Sequence, residues 1–299
     1  MSWKNKKIFY IVNNRIPTEK AHGLQIIKTC EALASFGNNV KLVIPTRKNF
    51  IKQSVFDFYN VSQTFSVKKL FSMSFNLFGK FGFIIQQIFF ALRVVFLKIS
   101  PIDVIYSRDE FSLYFLSFFH KNIFYEAHDN KWNFFARRVF KKSAGIVSIT
   151  FGLKDFYVKK GILADRILVS PDGVDLNDFG KNYDKNNSRK KFNLPQDKKI
   201  ILYTGHLYGW KGVYTLADSA KFFNKNTVFV FVGGTEKDVG MFRDYCKNFN
   251  NILIMGNRPH SEIPEYLACA DVLVIPNSAK SDISKYYTSP IKLFEYMAS

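Results

Sequence analysis

A chain of 299 residues is longer than one hydrophobic core usually supports, so it divides most naturally into two domains. With 47% hydrophobic and 22% charged residues it has the composition of a folded globular protein, which excludes wholesale disorder. A formal net charge of +19 calls for an anionic counterpart; nucleic acid, anionic lipid and a phosphorylated substrate all suit, and charge alone does not choose among them.

In chain order, the apolar run at residues 8–12 follows a basic start but is too short for a signal peptide, and it reads as a first buried strand. Ile26, Ile27, Cys30, Leu33 and Ala34 then recur at helical spacing, with Gly37 where a helix would stop. Residues 40–44 form the next strand, completing one βαβ unit. The most lipophilic stretch, 65–99, is interrupted by Lys68, Lys69, Lys80, Arg93 and Lys98, so no charge-free run reaches the roughly 18 residues of a spanning helix. Its basic, Phe-rich character instead suggests contact with an anionic membrane surface; the alternative is a helix pair packed in the first domain. Strands are expected at 104–106, 123–125 and 146–149.

Polar and charged residues dominate 175–198, which is read as a linker between a first domain at 1–174 and a second at 199–299. In the second, strands at 200–203, 228–232, 252–254 and 272–275 alternate with helices near 212–223, 236–249 and 261–269. The fold class is thus α/β, with two Rossmann-like domains. Ligands of open α/β sheets bind beyond the carboxyl ends of the strands, so an active site is expected where two such domains face each other across a cleft. Cys30, Cys246 and Cys269 lack metal-type spacing and read as free thiols of a reducing cytoplasm. No Asp-x-Asp cluster stands out, so no metal site is expected.

Two segments carry the chemistry. Residues 203–212 run from a strand through a loop containing Gly205, His206 and Lys211 into a helix near Val213. Such a loop offers backbone N–H groups, and Lys211 a full charge, to a phosphate; the alternative is a tight turn with an exposed lysine. In 289–298, Ser289 suits an N-cap and Pro290 the first helical position. Lys292 and Glu295 are then neighbours on one helix face, where a carboxylate can hold a ribose diol; the alternative is a solvated Lys–Glu pair.

Together with Arg15-Ile16-Pro17, Lys20-Ala21-His22-Gly23, Tyr125-Glu126-Ala127-His128-Asp129, Ser170-Pro171-Asp172-Gly173 and Ala270-Asp271-Val272, these segments resemble the retaining glycosyltransferases of family 4, of GT-B fold and envelope-polysaccharide type. The resemblance implies transfer of a sugar, hexosyltransferase-like, from a nucleotide-sugar donor to a glycan or lipid-linked acceptor, with the donor as substrate and no resident cofactor. It assigns catalytic roles to His128, Lys211 and Glu295. Lys211 would bind the donor diphosphate and Glu295 its ribose. Backbone around Ser289, Pro290 and Ile291 would meet the phosphates, and Gly205, His206 and Lys292 would complete that pocket. Gly23 would let its loop approach the donor, while His128 faces the sugar or is satisfied by Asp129.

Three features depart from the family pattern. His206 replaces a common arginine, Tyr287 replaces the first of two glutamates eight apart, and His22-Gly23 replaces a glycine pair. The chain also ends where the family continues, so the second domain is expected to be incomplete. An epimerase of the same fold and an inactive fragment remain alternatives. No RNA or DNA module is recognised among the scattered basic residues, so nucleic acid is not an expected partner. The expected location is cytoplasmic, at the inner face of the membrane.

Overall fold

The computed structural model describes residues 4–72 and 79–299 and divides into two compact units, the boundary falling between Pro171 and Asp172. Residues 73–78 of the lipophilic stretch lie outside the described residues.

The first unit is a seven-stranded parallel sheet of β1 (Lys7–Ile11), β2 (Asn39–Pro45), β3 (Ser66–Leu70), β4 (Val104–Ser107), β5 (Ile123–Ala127), β6 (Gly145–Ser148) and β7 (Ile167–Val169). Their spatial order is β3-β2-β1-β4-β5-β6-β7. The strand order reverses beside β1, where helical connections leave a crevice at the carboxyl ends of β1 and β4. Tyr10, Ile26, Ile27, Cys30 and Leu42 are fully buried in one core cluster, and each such aliphatic or aromatic side chain contributes about 1.5–3 kcal/mol.

Two strands of this sheet escaped the sequence reading. β3 carries Lys68 and Lys69 on an edge position, where charge blunts strand-to-strand association but hides the apolar pattern. β7, at the other edge, is only three residues long. The lipophilic stretch is therefore not a helix pair: within its described residues, β3 is followed by the helix Gly79–Val95. That helix buries Phe90, Ala91 and Val94 while Ile85, Ile88 and Leu92 stay exposed, and Phe96 continues the exposed row. No helix among the described residues is long and apolar enough to cross a membrane.

The second unit is a four-stranded parallel sheet, β8 (Lys199–Thr204), β9 (Thr227–Val232), β10 (Ile252–Gly256) and β11 (Val272–Leu273), in the order β10-β9-β8-β11. β9, Thr-Val-Phe-Val-Phe-Val, is buried on both faces, the pattern of a central parallel strand covered on each side. Val228, Val230 and Val232 join one core cluster and Phe229 and Phe231 the other. The helix Glu236–Tyr245 starts with a capping box between Thr235 and Asp238.

The stretch expected as a linker is part of this unit. It contains the helices Leu176–Phe179 and Lys185–Lys191, and Phe179, Phe192 and Leu194 enter the core. Its polar texture hides an internal clamp. Arg189 is buried and donates to Cys269 O at 2.9 Å and to Asp271 Oδ2 at 2.8 Å, while Asp271 also accepts from Ile200 N and Lys185 Nζ at 2.7 Å each. Burial alone would raise the Asp271 pKa, but hydrogen bonds from Lys185, Ile200 and Arg189 hold it down at about 2. Cys30, Cys246 and Cys269 are all free and buried.

Candidate functional site

In the first unit a cavity of about 1090 Å³ opens at the carboxyl ends of β1, β4 and β5, and His22, Arg108 and His128 line it. His128 follows β5 by one residue, and its Nε2 lies 2.8 Å from Glu126 Oε1. Glu126 in turn accepts from Tyr10 Oη at 2.6 Å and from Arg108 Nη2 at 3.2 Å, and Arg108 donates to Tyr10 Oη at 3.0 Å. Burial by itself would push the Glu126 carboxyl up; Arg108 and the hydrogen bonds from His128 and Tyr10 outweigh it and hold the pKa at about 2. The carboxylate is therefore a fixed negative charge that orients the imidazole.

His128 is thus satisfied by Glu126, not by Asp129, which pairs with Lys131 at 3.3 Å. The alternation of a strand places residues 126 and 128 on one side, the signal that a Glu-x-His spacing carries. Tyr10 lies on β1 and Arg108 just after β4, and neither carries such a signal. His22 projects into the same cavity, and burial, with Arg108 and Lys20 nearby, pushes its pKa down to about 4, so it is neutral near pH 7.

Gly23 is not in a loop. It lies within the helix Ala21–Ser35 and is buried, and a Cβ there would collide with the Tyr59 hydroxyl and the Thr18 methyl. Tyr59 Oη holds Thr18 by donating to its carbonyl and accepting from its N–H, each at 2.8 Å. The missing side chain is what lets the helix approach this loop.

In the second unit, Gly205 follows β8 with φ +120°, a backbone that favours glycine, and a Cβ there would sit 3.0 Å from Lys292 Nζ. Lys292 comes from the helix Ile291–Ala298, which is tied to the end of β8 because Thr204 N donates to Tyr296 Oη at 2.8 Å. The Lys292 side chain is buried, and its ammonium lies 3.8 Å from the Tyr203 ring centroid without a hydrogen-bond partner. Burial, and then repulsion from Lys211, lower its pKa well below the usual lysine value, with Glu295 opposing. Lys211 ends a short turn, Gly209–Lys211, with its ammonium 5.3 Å from the Trp210 ring, and burial lowers its pKa too. His206 stacks on Tyr208 in the same loop, with ring centroids 4.9 Å apart.

The solvated Lys–Glu pair is excluded, because Lys292 and Glu295 are only 8% and 7% exposed. Glu295 turns to His260 instead, Oε1 to Nε2 at 2.9 Å. Ser289 is not the N-cap: Pro290 holds that position, Ile291 is the first helical residue, and Ser289 Oγ accepts from Asp172 N at 3.0 Å. The serine is drawn away by a backbone donor at the start of the unit, so the expected cap bond is not made. The structure thus sets Gly205 against Lys292, with Lys211 near enough to repel its ammonium and Glu295 on the same helix one turn further on. Among the described residues no group of three or more His, Cys, Asp or Glu side chains is placed to hold a metal ion.

Residues 184–299 match the family described as Glycosyl transferases group 1. TuaC of Bacillus subtilis, a glycosyltransferase whose name assigns it to teichuronic acid biosynthesis, is 26% identical over 146 residues, 48% of this chain and 36% of TuaC. The UDP-Gal:alpha-D-GlcNAc-diphosphoundecaprenol alpha-1,3-galactosyltransferase of Escherichia coli is 30% identical over 121 residues, 38% of this chain and 31% of that enzyme. The chain therefore spans about a third of the length of these curated relatives. Among solved structures, Anabaena HepE in complex with UDP and glucose superposes with a TM-score of 0.67 at 14% identity, covering 90% of this chain and 73% of HepE. WaaG, a glycosyltransferase of lipopolysaccharide biosynthesis, gives 0.65 at 13% identity, covering 97% and 78%. The fold is α/β with two Rossmann-like units, as in glycosyltransferases of the GT-B class.

Proposed function

We propose that this protein is a glycosyltransferase moving a sugar from a nucleotide-sugar donor to a hydroxyl of a glycan or lipid-linked acceptor. The observation that carries the reading is the buried Lys292 ammonium, which makes no hydrogen bond, beside Gly205 and within the field of Lys211, in the segment that matches the group 1 family. A buried cation without a counter-ion costs stability and is retained where an anion completes it. The donor diphosphate is that anion. As the bond from the anomeric carbon to the diphosphate breaks, negative charge gathers on the departing phosphate oxygen, and Lys211 and Lys292 stabilise it more than they stabilise the ground state. Two ammonium groups supply the charge that a divalent cation supplies elsewhere, so transfer proceeds without a resident metal.

Retention of configuration and an envelope-polysaccharide product follow the resemblance to family 4, and the names of TuaC and the Escherichia coli galactosyltransferase, the latter acting on a lipid-linked diphosphate, support the second. Exposed Ile85, Leu92 and Phe96 beside Arg93 and Lys98 support peripheral contact with the inner face of an anionic membrane, and three buried free thiols fit a reducing cytoplasm. Incubation with a panel of nucleotide sugars, followed by mass spectrometry, tests the reading. Release of nucleoside diphosphate with glycosylated product is expected; an epimerised donor with no diphosphate released contradicts it.

A further inference from the structure

The carboxyl ends of β2 and β3 border a second cavity, about 360 Å³, which the donor reading leaves unused. Arg15, Arg47, Lys48, Lys52 and Lys69 line it, and no carboxylate does. Glu19 pairs with Arg15 at its edge, and Asp109 acts on Arg47 from further off. Asn49 fixes the walls: its Nδ2 donates to Pro17 O at 2.8 Å and its Oδ1 accepts from Ile51 N at 3.1 Å, tying the loop after β1 to the loop after β2. Arg47 Nη2 donates to Asn13 Oδ1 at 2.7 Å, while among the described residues its buried Nε has no hydrogen-bond partner. A guanidinium N–H enclosed in this way lacks an acceptor, and the surrounding charges select an anionic one.

Arg15 and Arg47 also line the larger cavity that contains His128, so the two spaces share these side chains. Phe83, Ile84, Ile88, Phe111 and Phe115 line the same cavity and give it an apolar part. The geometry points to an anion subsite, centred on Arg47, that takes the phosphate or diphosphate of an amphiphilic acceptor whose apolar part lies along these five side chains. This inference rests on the glycosyl-transfer reading and deepens it by naming the acceptor's chemistry and the residues that read it. Arginine is suited to the task because its planar fork meets phosphate oxygens in pairs, while the exposed lysines add point charge around it.

Farnesyl diphosphate, a soluble prenyl diphosphate, tests the subsite by calorimetric titration into the full chain. Arg47→Gln is expected to raise its Kd by about tenfold, the scale of one charge-assisted hydrogen bond. The double variant K48Q/K52Q changes only exposed side chains and is expected to weaken it in the same direction, while farnesol binds wild type and variants alike. UDP affinity stays at the wild-type value in both variants, and failure of UDP to bind wild type contradicts the donor reading alone. The subsite is overturned if wild type does not bind farnesyl diphosphate, if both variants bind it unchanged, or if UDP displaces it competitively. It is also overturned if the variants lose only their binding to phosphatidylglycerol-containing phosphatidylcholine vesicles, because the cations then read a bilayer.

Discussion

Glu126 Oε1 stands 2.8 Å from His128 Nε2, and the same carboxylate accepts a hydrogen bond from Arg108. One buried negative charge therefore balances a buried guanidinium and orients the imidazole that lines the cavity. Glu126→Gln keeps the shape but leaves Arg108 buried without its counter-charge. It should destabilise the first unit by about 3–5 kcal/mol, read by chemical denaturation. Tyr10→Phe removes one bond and no charge, so its cost should be near 1 kcal/mol. Equal costs in the two variants would show that the charge balance does not matter.

The depressed carboxylates set the acid limit of the fold. Glu126 and Asp271 each have a pKa near 2, below the ordinary values of about 4 in an unfolded chain. Folding is then favoured by their ionisation above pH 4, and that contribution is lost as pH falls from about 4 toward 2. Stability against pH should drop steeply across that window. In Asp271→Asn the drop should be shallower and stability at neutral pH lower; an unchanged slope would mean that the clamp with Arg189 and Lys185 contributes nothing.

Lys292 trades stability for binding. Its ammonium is buried without a hydrogen-bond partner and repelled by Lys211, so Lys292→Met, of similar length, should stabilise the folded protein by about 1–3 kcal/mol. The same variant should bind UDP or GDP at least tenfold more weakly, about the loss of one charge-assisted contact. Thermal unfolding and calorimetric titration on the same samples check both halves. A variant that loses stability and keeps its affinity would place Lys292 in the core as a structural residue.

The two sheets were legible because parallel strands covered on both faces leave continuous apolar runs, as in β9 and at residues 42–44 of β2. Edge strands with lysines, such as β3, leave none. The proximity of Gly205, Lys211 and Lys292 was legible because a strand, a loop and a helix start mark it in order. The internal partners were not: Glu295 meets His260, thirty-five residues away, and His128 meets a carboxylate whose own partners come from β1 and the end of β4. Packing at Gly23 was hidden for the same reason, since Tyr59 reaches it from a distant helix and a glycine looks alike in a hinge and in a close contact.

The proposed donor site rests on a nucleoside diphosphate binding beside Gly205, Lys211 and Lys292 of the second unit. Its most direct test is calorimetric titration of UDP and of GDP into the wild-type protein and into Lys211→Ala. Binding of at least one nucleotide to wild type is predicted, with affinity reduced tenfold or more in the variant, about one charge-assisted contact. Absence of binding by both nucleotides, or wild-type affinity in Lys211→Ala, would contradict the account.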